Sequence, residues 1–95
     1  MGFIRQLQIF VTEAEMGNFT RAADTLHMAR PGITKAIGEL EKSVGVRLLQ
    51  RTTRRTNLTG EGEAFYTKAT ELLREVEVTQ NLFGGSKERP SGRLR

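Results

Sequence analysis

Residues 18–62 read NFTRAADTLHMARPGITKAIGELEKSVGVRLLQRTTRRTNLTGEG. Ala22, Ala23 and Leu26 fall at i, i+1 and i+4, one side of a short helix. Thr20 is its expected cap, because a threonine hydroxyl accepts an N–H of the first turn. Ile33, Ile37, Leu40 and Val44 recur at i, i+4, i+7 and i+11, a single stripe on a second helix. Pro31 suits the first turn of that helix, where a missing N–H costs nothing. Gly45 stands where a left-handed residue ends it. The connection His27-Met28-Ala29 has the length of the tight turn in a helix-turn-helix pair. Ala29, at the expected N-cap, has no side-chain acceptor, which costs about 1 kcal/mol relative to serine.

Burying that stripe turns the opposite face outward by geometry. It carries Arg30, Thr34, Lys35 and Gly38, with Pro31 and Gly32 beside Arg30 and Lys42 further along. In helix-turn-helix pairs the N-terminal part of the second helix meets base edges. Arginine and lysine suit the O6 and N7 acceptors of guanine, and Thr34 offers a hydroxyl or a methyl. First-turn N–H groups can also hold a phosphate, and Gly38 lets the face approach closely. In the next segment, Leu48 and Leu49, then Thr56, Asn57 and Leu58, read as two short strands about a turn at residues 52–55. Arg47, Arg51, Arg54 and Arg55 fall there without one acid, so the ribbon is suited to phosphates or a minor groove.

The rest of the chain frames this unit. Leu7, Phe10, Val11 and Ala14 predict a first helix, ended by Gly17. Thr59 is the expected cap of a long helix running to about Phe83, with Glu61 at its positive end. Phe65, Ala69, Leu72, Leu73, Val76 and Phe83 give it an apolar stripe, more than so small a domain can cover by itself. Gly84, Gly85 and Ser86 break the helix, and residues 87–90 read as a hinge. Ninety-five residues with a net charge of +4 make one small domain that favours a polyanionic partner. The charge is local. Seven bases face Glu39 and Glu41 between Arg30 and Arg55, whereas five glutamates face Lys68 and Arg74 between Gly60 and Gln80.

In RAADTL, ARPGIT, LEKSVG, LLQR and LTGEG the chain resembles the N-terminal DNA-binding domain of the LysR-type transcriptional regulators. The resemblance extends from about Arg5 to the C-terminal end, and the combined spacing is specific. It implies a mainly α fold: a winged helix-turn-helix, with a three-helix core and a short two-stranded wing, followed by a long linker helix. The implied division is residues 1–58 for the DNA-binding domain, 59–84 for the linker and dimerisation helix, and 85–95 for a hinge and the start of an effector-binding domain. SGRLR resembles that domain's beginning, so the chain reads as part of a longer regulator. By position, Arg30, Pro31, Gly32, Thr34, Lys35 and Gly38 fall on the groove-facing helix. Arg51, Thr52, Arg54 and Arg55 fall on the wing, and Thr20 at the start of the second helix. The implied partners are double-stranded DNA, read as an interrupted palindrome, and a second copy paired antiparallel through Phe65, Ala69, Leu72, Leu73, Val76 and Phe83. The resemblance implies a homodimer, with a tetramer as the alternative for the full-length protein. Ala29 stands where the family has Ser, Arg30 where it has Gln, Thr34 where Ser is common and Leu49 where it has Phe. Of these, Arg30 bears on base preference, since glutamine favours adenine and arginine guanine.

Plainer readings exist for each residue. Arg30, Thr34 and Lys35 form a solvated helix face if taken alone, and Arg54 and Arg55 an ordinary turn. Thr52 either meets DNA or only closes its turn. His27 has no Cys, Asp or second His at metal-ligand spacing, and Gly60-x-Gly62 lacks the Lys and Ser or Thr of a phosphate loop. A close-packed helix start explains those glycines better. Met16 and Met28 read as packing. With no nucleophile beside a base, no carboxylate pair and no cysteine, neither a catalytic nor a metal site is expected. No cofactor is expected in this fragment, and a small-molecule co-inducer is expected for the effector domain. The absence of a leader or membrane span favours the cytoplasm. A basic face docking on an acidic protein is the rival class, and an enzyme the weaker one.

Overall fold

The computed structural model describes residues 2–51 and 56–83. The elements follow as α1 (Phe3–Met16), α2 (Phe19–Leu26), α3 (Arg30–Val44), β1 (Leu49–Arg51), β2 (Thr56–Leu58) and α4 (Gly60–Phe83). This is the expected order of three helices, a two-stranded wing and a long helix. β1 and β2 are antiparallel, with Leu49 opposite Leu58, Gln50 opposite Asn57 and Arg51 opposite Thr56. Leu48, expected in the first strand, lies just before it.

The core gathers Leu7, Ile9 and Phe10 of α1, Ile33, Ile37 and Leu40 of α3, and Leu48 and Leu49 at the wing root, all buried. α1 packs against α2, α3 and α4. Packing against three helices widens its buried arc beyond the stripe that spacing predicts. Ile9, Gln6 and Glu13 are therefore buried, while Val11 and Ala14 are only half-covered. Val44, at the far end of the α3 stripe, is also half-buried.

The helix ends explain where the chain turns. Gly17 and Gly45 close α1 and α3 with φ of 68° and 83°, a left-handed backbone that suits glycine. The cap of α2 differs from expectation. Asn18, not Thr20, holds it: its Oδ1 accepts the Arg21 N–H at 2.9 Å. Asn18 is extended and so aims its side chain over the first turn, whereas Thr20 already lies within the helix. Thr59 caps α4 as expected, its Oγ1 accepting the Gly62 N–H at 2.8 Å.

The apolar stripe of α4 divides. Ala69 is wholly buried in the chain's own core, Phe65 meets Phe10 edge-to-face with centroids 5.4 Å apart, and Leu73 packs half-buried on the same cluster. These three are used within the chain, because α4 packs on α1 from its start to just past its middle. Leu72 and Phe83 are exposed and Val76 half-exposed. No helix among the described residues is long and apolar enough to cross a membrane.

Candidate nucleic-acid interface

α2 and α3 are set by the turn at His27. Its backbone is left-handed at φ 57°. Its N–H donates to the Asp24 carbonyl at 3.3 Å, and the Met28 N–H to the Ala23 carbonyl at 2.9 Å. Such paired bonds satisfy carbonyls that a helix end leaves open. The side chain is exposed, as a turn residue's would be.

α3 then starts at Arg30 without a side-chain cap, since Ala29 has none to offer. The Ala29 carbonyl accepts the Gly32 N–H at 3.0 Å and the Ile33 N–H at 3.4 Å. Ile33, Ala36, Ile37 and Leu40 are buried. Arg30, Pro31, Lys35 and Gly38 are exposed, and Gly32 and Thr34 half-exposed. The predicted face is thus assembled on one helix. Among the described residues, neither Arg30, Lys35 nor Lys42 has an ion-pair partner. Gly32 is close-packed, as a Cβ there would lie 3.2 Å from Met28 Cε. Gly38 differs: a Cβ would meet nothing within 4 Å. Glycine inside a helix costs roughly 0.5–1 kcal/mol relative to alanine, and no neighbour among the described residues requires it. Thr20 is exposed on the first turn of α2.

The wing is anchored to α3 by a residue that sequence reasoning counted only as a charge. Glu41 Oε2 accepts the Leu48 N–H at 2.8 Å and the Leu49 N–H at 3.1 Å. Its Oε1 lies 3.7 Å from Arg47 Nε. On the other side of the same segment, Thr59 Oγ1 donates to the Arg47 carbonyl at 2.7 Å and the Thr59 N–H to the Leu48 carbonyl at 3.0 Å. Gly62 packs on that carbonyl so tightly that a Cβ would fall on its oxygen. Close packing therefore accounts for Gly62 but not for Gly60, where a Cβ would meet nothing within 4 Å. The available signal for Glu41 was its place on α3, next to buried Leu40 and one turn before Gly45. The expected contacts Thr52, Arg54 and Arg55 lie outside the described residues, as does the side chain of Arg51.

Residues 4–63 match the model of the bacterial regulatory helix-turn-helix proteins of the lysR family. The chain belongs to that family. An HTH-type transcriptional repressor of Pseudomonas aeruginosa is 38% identical over all of this chain, which spans 30% of it. The regulator CrgA of Neisseria meningitidis is 38% identical over 95% of this chain and 30% of its own length. The chain thus spans about a third of the length of these curated relatives. Among solved structures, the CbnR_DBD–DNA complex superposes with a TM-score of 0.81 at 38% identity, over 85% of this chain and 92% of that one. The DarR–DNA complex of Vibrio fischeri gives a TM-score of 0.83 at 25% identity, over 97% of this chain and 31% of that one. A lysR-family helix-turn-helix is a regulator's module, in agreement with the reading that the chain is no enzyme.

Proposed function

We propose that this lysR-family domain reads double-stranded DNA as a dimer, on an interrupted palindrome, with α3 in the major groove and the wing on the flanking backbone or minor groove. The observation that carries this reading is the outer face of α3. Among the described residues, it joins Arg30 and Lys35, which have no ion-pair partner there, to a mid-helix glycine that no neighbour there requires. A base edge or phosphate approaching Gly38 supplies the missing reason. The DNA in the CbnR_DBD and DarR complexes supports the choice of partner. Pro31, Gly32 and Thr34 complete the groove face. Thr20, Arg51, Thr52, Arg54 and Arg55 supply flanking contacts. α4 joins the two copies. On the family resemblance, residues 85–95 lead to an effector-binding part that takes the small-molecule co-inducer.

Selection from a random duplex library at near-physiological salt tests the proposal. Enrichment of an interrupted palindrome is expected. Arg30→Ala or Lys35→Ala should then cost about 1–3 kcal/mol and relax preference at one base position. Retention of DNA with no enriched sequence would reject the reading in favour of phosphate-driven, non-specific binding.

A further inference from the structure

We infer that Glu41 is a positioning residue: it fixes the wing relative to α3, so that both can engage one duplex at once. The inference rests on the proposed docking of α3 and the wing on DNA. One carboxylate oxygen receives two consecutive main-chain N–H groups, those of Leu48 and Leu49, at the point where the chain enters β1. Both side chains there are buried, and the Glu41 side chain is 14% exposed. Bonds from N–H groups to a carboxylate are shorter and stronger than those to a neutral acceptor. They are also directional, so they fix an angle as well as a distance. Thr59 and Gly62 hold the opposite side of residues 47 and 48 on α4. The wing root is therefore clamped between the recognition helix and the cap of α4. Among the described residues, only the Glu41 arm connects it to the recognition helix by side-chain hydrogen bonds. Rotation of the wing about that root breaks both bonds together. Glu41 itself need touch no DNA.

The test uses three variants of the chain and two duplexes. One duplex carries the selected site with its flanks, and the other is cut back to the bases under α3. Glu41→Ala removes the acceptor. Glu41→Asp keeps the charge and shortens the reach, whereas Glu41→Gln keeps the reach and loses the charge. On the long duplex, Glu41→Ala and Glu41→Asp should bind about tenfold more weakly, with a salt dependence shallower by about one phosphate contact. Glu41→Gln should lose no more than about threefold, since its carbonyl still accepts both N–H groups, though less strongly than a carboxylate. On the short duplex all variants should match the parent. Should Glu41→Ala fail to fold, the contrast between Asp and Gln decides. Equal losses on both duplexes, or equal losses for Asp and Gln, would overturn the positioning role. A parent chain that binds both duplexes alike would instead remove the wing contact, and the inference with it. A parent that binds neither would reject DNA binding itself.

Discussion

His27 closes α2 with a left-handed backbone, φ 57° and ψ 46°, the only positive φ outside glycine among the described residues. That conformation costs a residue with a Cβ roughly 1–2 kcal/mol. The side chain is exposed, so its removal should sacrifice little packing. His27→Gly should therefore raise stability by up to about 1 kcal/mol, after glycine's larger entropy in the unfolded chain offsets part of the gain. Chemical denaturation measures this directly, and a lower midpoint would mean that the imidazole holds the turn. Gly62 presents the opposite case. Its backbone is ordinary, but a methyl would strike the Leu48 carbonyl oxygen, which belongs to the main chain and cannot rotate aside. Gly62→Ala should lower stability by about 1–3 kcal/mol, the cost typical of overpacking. The same denaturation series checks it, and an unchanged midpoint would show that the helix start can shift.

Between elements, α1 and α4 are held by the Phe10–Phe65 contact and by a hydrogen bond from Tyr66 Oη to Glu15 Oε2 at 2.8 Å. That bond to Glu15 holds the phenol above its ordinary range near 10, and burial and the carboxylate charge push in the same direction. Since the folded value exceeds the unfolded one, the contribution is fully present below about pH 10 and is lost as pH rises through the folded value. The stability difference between the parent and Tyr66→Phe should thus be constant from about pH 7 to 9 and shrink at more alkaline pH. A difference that grows above pH 10 would contradict the bond. Neither this bond nor the Glu41 anchor was legible in the sequence, because each joins elements whose relative placement spacing does not encode. What spacing did encode was local: the α3 stripe, the three-residue turn, Gly17, Gly45 and Thr59. Thr20 was expected as the cap that Asn18 provides: the two are capping residue types only two positions apart, and the extended backbone that makes Asn18 the cap is a tertiary outcome. The α3 face was legible because burial of Ile33, Ile37 and Leu40 fixes the opposite side by geometry alone.

Across the whole molecule, the most exposed large apolar side chains gather on one helix. Leu72 is 47% exposed, Val78 46%, Leu82 71% and Phe83 83%, all on the later part of α4. With 24 residues, α4 is about 36 Å long, and the side chains it packs on the core, Phe65, Tyr66, Ala69 and Leu73, end just past its middle. The sequence showed an excess of apolar residues on this helix but not where the excess begins, since Phe65 and Ala69 become core only once α1 is in place. In the dimer proposed above, a second copy would cover the remainder and two α3 helices would meet one duplex. Leu72→Glu should then put a charge into that contact, as the side chain is exposed in the isolated chain and free to carry one. Sedimentation should show a monomer that keeps its helical spectrum. Binding to a two-half-site duplex should fall while binding to one half-site is retained. Ala69→Glu is the contrast, because a carboxylate at a wholly buried position disrupts the fold itself. An intact dimer of Leu72→Glu would move the interface off this face, and loss of helix in that variant would assign Leu72 to the chain's own core.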